Sequence, residues 1–468
     1  MSEYAPHDLQ QESDVTGQVA QFVSTLHFAQ LPGRVVERAI LALLDTVGVA
    51  LAGQRCSPGE QILAYVRRQG GVSESSVLGA RFVTSAPWAA LANGVLAHAL
   101  DYDDTTYGMN GHLSSVLMPV VLALGERARA RGRDLITAYV AGFELGSRLG
   151  RDLNPDHYEA GWHSTATIGH LAAAGAASAL LQLNPGQTRM ALGIAATAAG
   201  GLRANIGSMT KPLHSGLAAQ HGVMAAQLAQ AGWTATSDGL GARYGFASLF
   251  APGRPLGPAF VDLGTSWDIE TVGVAQKLYP SCAATHRAID ALLDLRARAG
   301  LRPEMIAEIS CGVDYLVPTY LTFPQPRTAE EARFSLEYTL AVAAIDGQVG
   351  LRQFEPDRLH DPAVAELARR VRMYVHPEEA GRESWQVRFV DLEVNLQDGR
   401  RLHRRVYEQR GHPNNPLSAD ELAAKYRDTA GRVLSAAAVE ESLALLRQLD
   451  QLDDLEPLIR LLRGAASV

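Results

Sequence analysis

Long segments of small apolar residues fill the first 270 residues and constrain the fold more than any other feature of the sequence. The run Leu171–Leu181 consists almost entirely of Ala, Leu and Gly. Apolar residues recur at the spacing of amphipathic helices, which predicts helices over 34–52, 87–100, 113–130, 134–149, 165–183, 187–199 and 213–231. Because small side chains let helices pack closely, we expect one dense helical domain over residues 1–270.

The pattern changes after residue 270. A β-like run, Ile309–Val313, is followed by two predicted helices at 329–345 and 361–373. Alternating apolar residues over 385–396 and a second run at 401–406 flank Asp398-Gly399, which predicts a β-hairpin. We therefore predict a mainly α protein with a smaller α+β domain at 271–405, and with C-terminal helices at 406–468 that pack back on the helical domain.

Charge and cysteine content exclude several classes of protein. The 468 residues carry 42 basic and 50 acidic side chains, a net charge of −8, with no basic patch, so we expect no nucleic-acid partner. The longest apolar run is far short of the roughly 20 residues that a membrane span needs, and the polar N-terminus has no signal-peptide pattern, so we expect a cytoplasmic protein. Three cysteines without metal-ligand spacing predict neither a disulfide framework nor a metal site.

Four segments concentrate titratable residues at the ends of predicted helices. They are 97–105 with 111–115, 161–165, 207–214 and 277–286, and no nucleotide-binding glycine loop or nucleophile elbow accompanies them. Each residue taken alone has a structural interpretation, because acids cap helices, lysines extend to the surface and a free cysteine packs as a small apolar residue. Together they favour a cofactor-free site for a small polycarboxylate, with cations to hold it and acids or bases to move a proton.

Several motifs give nearly the whole chain a family resemblance. They are 44–53 (LDTVGVALAG), 98–105 (HALDYDDT), 210–216 (TKPLHSG), 277–282 (KLYPSC) and 331–338 (EARFSLEY). With these motifs the chain resembles the MmgE/PrpD family of 2-methylcitrate dehydratase, cis-aconitate decarboxylase and iminodisuccinate epimerase. The resemblance implies a large all-helical domain with a smaller α+β lid, a homodimer and no cofactor.

The family's pocket residues match positions of this chain. The matching residues are Asp101, Thr105, His112, His163, Lys211, Lys277 and Tyr320. In this hypothesis the aspartate and the two histidines share the acid–base work, the lysines bind carboxylates and stabilise enolate-like charge, and the threonine and tyrosine orient the substrate. Tyr315 is the alternative for the tyrosine, and His286 is a further candidate for substrate binding.

One position departs from the decarboxylase branch of the family. Five residues after Lys277, where that branch has a histidine, this chain has Cys282, and the next histidine is His286. A nearby cation favours the thiolate, so we expect Lys277 to lower the pKa of Cys282 and to make this cysteine a proton carrier that reacts faster than the other two.

The resemblance favours a cofactor-free lyase of the 2-methylcitrate dehydratase type. Such an enzyme removes a proton alpha to a carboxylate and then loses water. An isomerase of the iminodisuccinate epimerase type, which returns the proton to the opposite face, and a cis-aconitate-type decarboxylase are the alternatives. A non-catalytic carboxylate-binding protein with the same fold is a more remote one.

Overall fold

Helices dominate the structure, a computed structural model that describes residues 14–381 and 389–464. The helices are α1 (Val15–Thr25), α2 (Gly33–Gly53), α3 (Ser57–Gln69), α4 (Ala86–His98), α5 (Leu113–Ala128), α6 (Gly132–Leu153), α7 (Asp156–Glu159), α8 (Ser164–Leu180), α9 (Pro185–Ala198), α10 (Thr210–Gln230), α11 (Phe246–Phe250), α12 (Asp268–Thr271), α13 (Ala283–Ala299), α14 (Ala329–Ala332), α15 (Leu336–Asp346), α16 (Pro356–Leu359), α17 (Pro362–Ala368), α18 (Ala419–Ala430), α19 (Ala436–Arg447) and α20 (Glu456–Arg463). The strands are β1 (Ser75–Ser76), β2 (Val83–Thr84), β3 (Ile306–Val313), β4 (Val371–Val375), β5 (Val390–Leu396) and β6 (Arg401–Val406). Within these residues, no helix combines the length and the apolar character that crossing a membrane requires.

The centre of the helical part is a group of apolar helices that contact one another through small residues. α10 packs against α4 and α8, and α8 packs against α5 and α6. At the α4–α10 contact, a Cβ atom on Gly94 would lie 2.7 Å from the Cα atom of Gly216. The two helix backbones therefore touch, which only glycine permits, and this explains the small-residue runs of the sequence.

The buried apolar residues form two large and separate cores. One takes its buried residues from 15–274 and again from 423–462, so the C-terminal helices contribute to it. α18 packs on α2, and between these helices the buried Lys425 ammonium lies 2.7 Å from Asp45. The other core lies within residues 279–396. From this separation we infer domain boundaries near residues 270 and 405, and we call residues 271–405 the lid domain.

The lid domain is built on a four-stranded sheet in the order β4-β3-β5-β6. β5 and β6 form the predicted antiparallel hairpin, and Gly399 in its turn has a φ of +87°. β3 pairs antiparallel with β5 and parallel with β4. Residues 385–388 of the predicted strand lie outside the described part of the chain, and β5 is described from Val390.

Two helices predicted in the lid domain are wrong in extent. The helix predicted over 361–373 ends at Ala368, and Val371–Val375 forms β4 because its backbone completes a ladder with β3. The helix predicted over 329–345 is interrupted before Ser335, whose hydroxyl accepts a hydrogen bond of 3.0 Å from the Tyr338 amide and so begins a new helix. Local periodicity did not reveal either change, since one depends on a strand partner distant in sequence.

The α4–α10 contact provides a stability test. We expect Gly216→Ala to lower the free energy of unfolding by about 1–3 kcal/mol, the usual cost of overpacking. The reason is that the new methyl group would lie 2.5 Å from the carbonyl oxygen of Leu91. Gly33→Ala, whose Cβ atom would meet nothing within 4 Å, is the control in urea denaturation. Unchanged stability of the Gly216→Ala protein would contradict backbone contact between these helices.

Candidate active site

A cavity lies where the helical domain meets the lid domain. Its wall contains seven of the nine predicted site residues, namely Asp101, Thr105, His112, His163, Lys211, Cys282 and Tyr320. The wall is completed by Tyr107, Asn110, Gly111, Tyr158, Ile206, Ala283, Ala284, Arg287 and Phe334. The remaining two predicted residues, Lys277 and His286, are buried and are not part of this wall.

The loop between α4 and α5 supplies the acidic part of the wall and has a fixed backbone. Thr105 and Ala275 exchange two backbone hydrogen bonds of 2.9 Å, which tie the loop to the segment before α13. Asp101 has a φ of +49°, a left-handed conformation that is uncommon for residues other than glycine. Its carboxylate contacts lysine side chains, so the helix-capping interpretation of this residue does not apply.

Asp101 lies between two buried lysines, and we call these three side chains the lysine clamp. Oδ1 of Asp101 is 2.6 Å from Nζ of Lys211, and Oδ2 is 3.0 Å from Nζ of Lys277. Lys277 also donates to the backbone carbonyl oxygen of Asp101 at 2.7 Å. Burial alone would raise the pKa of Asp101, but the two ammonium groups outweigh it and hold the pKa well below its ordinary value. The clamp therefore contains one carboxylate and two cations.

The chain contains three lysines, and all three reach this loop. The third, Lys425 of α18, donates to the carbonyl oxygen of Tyr102 at 2.9 Å, and its ammonium lies 4.0 Å from the centre of the Tyr102 ring. Every other side chain among the 42 lysines and arginines is an arginine. A compact ammonium fits these buried contacts, whereas the planar guanidinium needs a wider fork of acceptors.

His112 directs one ring nitrogen towards the clamp. Its Nδ1 is 2.7 Å from the backbone carbonyl oxygen of Asp104 and 3.2 Å from Oδ2 of Asp103. Both oxygens are acceptors, so Nδ1 carries the proton and Nε2 keeps its lone pair, 3.9 Å from Oδ1 of Asp101. Burial lowers the pKa of His112, so the ring is neutral and able to accept a proton.

His98 and Asp103 are functional candidates that the sequence analysis did not single out. Nδ1 of His98 lies 2.9 and 3.0 Å from the two carboxylate oxygens of Asp103, and its Nε2 lies 2.7 Å from Nζ of Lys211. Burial lowers the pKa of His98 to about 3. Burial opposes ionisation of Asp103, but His98 and His112 hold the pKa of this aspartate well below its ordinary value. Only their place in the 98–105 motif pointed to these two residues.

His163 comes directly before α8 and pairs with a histidine of α10. The Nδ1 atoms of His163 and His214 are 3.0 Å apart, and burial together with the charge of Lys211 lowers the pKa of both rings, that of His214 to about 4. Further along the same helices, Nε2 of His170 is 2.9 Å from Nδ1 of His221. The histidines spaced seven apart in the sequence thus pair between two helices and not along one.

The predicted thiolate at Cys282 is wrong. Burial and the carboxylate of Asp101 raise the pKa of Cys282 to about 11, and the opposing effect of Lys277 is smaller. The sequence showed the lysine close to the cysteine in the chain, but not the aspartate that already engages this lysine. Cys282 is therefore a neutral thiol on the cavity wall.

His286 and the predicted tyrosine occupy different environments. Nε2 of His286 is 3.2 Å from the carbonyl oxygen of Ser281, and its ring packs against Tyr279 behind the wall. The predicted direct contact of His286 with a substrate is therefore not available in this structure. Tyr320 lines the cavity, whereas its alternative, Tyr315, donates to Glu159 at 2.9 Å.

Arg287 is a further cation on the cavity wall that the sequence analysis did not identify. It is 4% exposed, and its Nε donates to the carbonyl oxygen of Tyr407 at 2.6 Å. Its Nη2 lies 3.5 Å from a carboxylate oxygen of Glu408. The residues that make these contacts lie about 120 positions away in the sequence. Periodicity and motif spacing therefore did not indicate that Arg287 belongs to the site.

Four side chains at the loop between α4 and α5 bring atoms that can bind a metal ion close together. Among the described residues, ligand atoms of His98, Asp101, Asp103 and His112 lie within 4.8 Å of one another. Nζ of Lys211 already contacts two of them, at 2.7 Å from His98 and 2.6 Å from Asp101. A divalent cation placed there would meet an ammonium group at contact distance, so this set of residues fits a metal poorly. The expected absence of a cofactor stays a prediction.

Comparison with known proteins gives matches over nearly the whole chain. The MmgE/PrpD N-terminal domain matches residues 17–259, and the MmgE/PrpD C-terminal domain matches residues 279–451. A human protein named cis-aconitate decarboxylase is 30% identical over 470 residues, covering 96% of this chain and 95% of its own length. A protein of the same name from Aspergillus terreus (strain NIH 2624 / FGSC A1156) is 30% identical over 482 residues, covering 97% of each chain. Since the two domain matches together span most of its length, the chain belongs to the MmgE/PrpD family.

Proposed function

We propose that this protein is a cofactor-free lyase that decarboxylates a small tricarboxylate of the cis-aconitate type. From the sequence alone, dehydration is the favoured reaction and decarboxylation is one of the alternatives. The relatives named cis-aconitate decarboxylase support the decarboxylase alternative better, because the similarity to them extends over nearly the whole of each chain. Dehydration and epimerisation become the alternatives, and all three reactions use a small polycarboxylate.

The observation that carries the proposal is the group of cations at the cavity. Lys211 and Lys277 share the carboxylate of Asp101. The guanidinium of Arg287, which lies 3.5 Å from Glu408, is on the cavity wall together with Lys211. Ammonium and guanidinium groups form strong charge-assisted hydrogen bonds with carboxylates. A substrate with two or three carboxylates therefore matches the N–H donors of Lys211 and Arg287.

Decarboxylation also matches the chemistry of the groups on the wall. Loss of carbon dioxide from a six-carbon tricarboxylate leaves an electron pair that delocalises towards a neighbouring carboxylate, and uptake of one proton then gives a five-carbon dicarboxylate. In this proposal Lys211, which lines the cavity, stabilises the charge that develops on this carboxylate. The neutral rings of His112 and His163, which also line the cavity, move the proton.

Cys282 is the group that we propose as the final proton donor. A thiol with a pKa of about 11 stays protonated at neutral pH. It is still far more acidic than the C–H group that forms when the carbanion takes up the proton. The same thiol, acting on the opposite face of a substrate that keeps its carboxylate, would make the site an epimerase. The reaction products distinguish these two outcomes.

The substrate test uses the purified protein and four compounds, cis-aconitate, 2-methylcitrate, citrate and iminodisuccinate. We expect proton NMR in D2O to show a new five-carbon alkene dicarboxylate from cis-aconitate, with one solvent deuterium incorporated. An alkene formed from 2-methylcitrate or citrate would favour the dehydratase alternative, and deuterium in recovered iminodisuccinate would favour the epimerase. Binding of the panel in calorimetry without any turnover would contradict the assignment as an enzyme.

Lys211→Met tests the clamp. We expect turnover to fall by about 10²-fold or more, the scale seen when one charge-stabilising donor is removed from an active site. Since the lysines all contact the same loop, the matched control is removal of a surface cation, Arg298→Met on α13, whose side chain is 69% exposed. Steady-state kinetics on the substrate found above measures both variants, and near-normal turnover by Lys211→Met would remove this lysine from the site.

The neutral thiol of Cys282 makes a prediction about pH. Because the thiolate is the nucleophile, iodoacetamide should label Cys282 slowly at neutral pH, and the rate should rise until the pH approaches the pKa of about 11. Cys282→Ala should lower kcat by about 10²-fold, as expected for loss of a general acid. Cys311→Ala, which removes a thiol from the lid core, is the control and should change stability more than kcat. Fast labelling at neutral pH, measured by peptide mapping, would show that the thiol is acidic after all.

The homodimer and the cytoplasmic location implied by the sequence analysis are further proposals. The homodimer is the assembly that the family resemblance implies, and sedimentation of the purified protein measures it directly.

A further inference from the structure

Asp103 is a completely buried carboxylate that faces two histidine rings. Both of its oxygens lie within 3.0 Å of Nδ1 of His98, and Oδ2 is 3.2 Å from Nδ1 of His112. The two rings are neighbours, with centres 4.4 Å apart. Asp103 thus contacts the Nδ1 atoms of two histidines, which lie at opposite ends of the loop between α4 and α5.

The contact with Asp103 determines which nitrogen of His98 carries the proton. An ionised carboxylate only accepts hydrogen bonds, so Nδ1 of His98 must be the donor. In a neutral ring the other nitrogen, Nε2, then has a free lone pair. This nitrogen lies 2.7 Å from Nζ of Lys211, and an ammonium group only donates, so donor and acceptor match along the whole chain from Asp103 to Lys211.

The same chain fixes the direction of Lys211. Its ammonium group has three N–H bonds, of which one is donated to Nε2 of His98 and one to Oδ1 of Asp101. The third remains for a group in the cavity that Lys211 lines. If His98 adopted the other tautomer, two N–H groups would face each other at 2.7 Å, and the ammonium would have to turn away.

We propose that Asp103 is a positioning residue that acts through His98. It holds the proton of His98 on Nδ1, and it thereby aims the free N–H of Lys211 at the substrate. The tautomer of His112 does not depend on Asp103, because the carbonyl oxygen of Asp104 lies 2.7 Å from its Nδ1 and only accepts. The inference rests on the proposed function, since it assigns the free N–H of Lys211 to the proposed reaction. It goes beyond that function by placing the control of the site in a side chain that is not on the cavity wall.

Asp103→Asn tests this role with almost no change in side-chain size. The asparagine amide is able to donate to Nδ1 of His98, which permits the wrong tautomer without a change in side-chain size. We expect kcat to fall by about 10²-fold or more, by analogy with the cost of a wrong histidine tautomer in other enzymes. Asp314→Asn, which changes a buried aspartate of the lid domain in the same way, is the control and should lower kcat less than threefold, a margin of roughly 0.6 kcal/mol.

His98 provides a rescue test. The amide oxygen of a glutamine can replace the Nε2 acceptor of His98, whereas a leucine cannot. We therefore expect His98→Gln to keep kcat within about tenfold of the wild type and His98→Leu to lose about 10²-fold or more. Asp103→Asn should lower kcat little further in the His98→Leu background, because Asp103 acts through His98. Equal kcat values for the glutamine and leucine variants would overturn the role of His98.

Nitrogen-15 NMR of histidine-labelled protein reads the tautomers without any substrate. We expect His98 and His112, assigned from the spectra of their glutamine variants, to carry the proton on Nδ1 in the wild type. In Asp103→Asn the Nε2–H form should appear for His98, whereas His112 should keep its tautomer because of the Asp104 carbonyl. An Nε2–H signal for His98 in the wild type would overturn the inference even if the enzyme is active. The expected tautomers together with no turnover of any tested polycarboxylate would instead support the assignment of Asp103 and reject the proposed function.

Discussion

The ion pairs of Asp101 with two buried lysines are the interaction on which the rest of the site depends. Moving three charged groups out of water costs several kcal/mol for each, and the attraction between them offsets this cost only when the geometry is close. The distances of 2.6 and 3.0 Å meet that condition. Asp101 also has a left-handed backbone conformation, which is costly for a residue other than glycine. The ion pairs of its side chain help to stabilise this conformation.

The lysines come from three separate parts of the chain, and this links the site to the whole fold. Lys211 begins α10 at the centre of the helical domain, Lys277 precedes α13 at the junction with the lid domain, and Lys425 belongs to the C-terminal helix α18. Lys211 and Lys277 contact Asp101, and Lys425 contacts Tyr102. Contacts from the helical domain, the junction and the C-terminal helices therefore meet at this loop.

The sequence predicted the helices and strands that short-range patterns specify. For the site, it predicted which residues line the cavity better than it predicted which of the acids are ionised. The periodic helices and the Asp-Gly hairpin follow from short-range patterns, whereas β4 needs β3 as a partner and was missed. The family motifs identified most residues of the cavity wall, but they did not indicate the state of each acid. Among three aspartates in four positions, Asp101 and Asp103 have a lowered pKa, while burial raises that of Asp104 to about 8. Their partners lie on distant elements, so neither spacing nor composition distinguishes them.

The central claim is that the clamp and its neighbours bind the carboxylates of a small tricarboxylate. A crystal structure of the protein with tricarballylate, a saturated tricarboxylate that cannot follow the proposed reaction, tests this claim most directly. The account predicts one ligand carboxylate within hydrogen-bond distance of Nζ of Lys211, a second against the guanidinium of Arg287, and the central carbon atoms facing Nε2 of His112. A ligand bound outside this cavity, or bound inside it with its carboxylates away from both cations, would contradict the account.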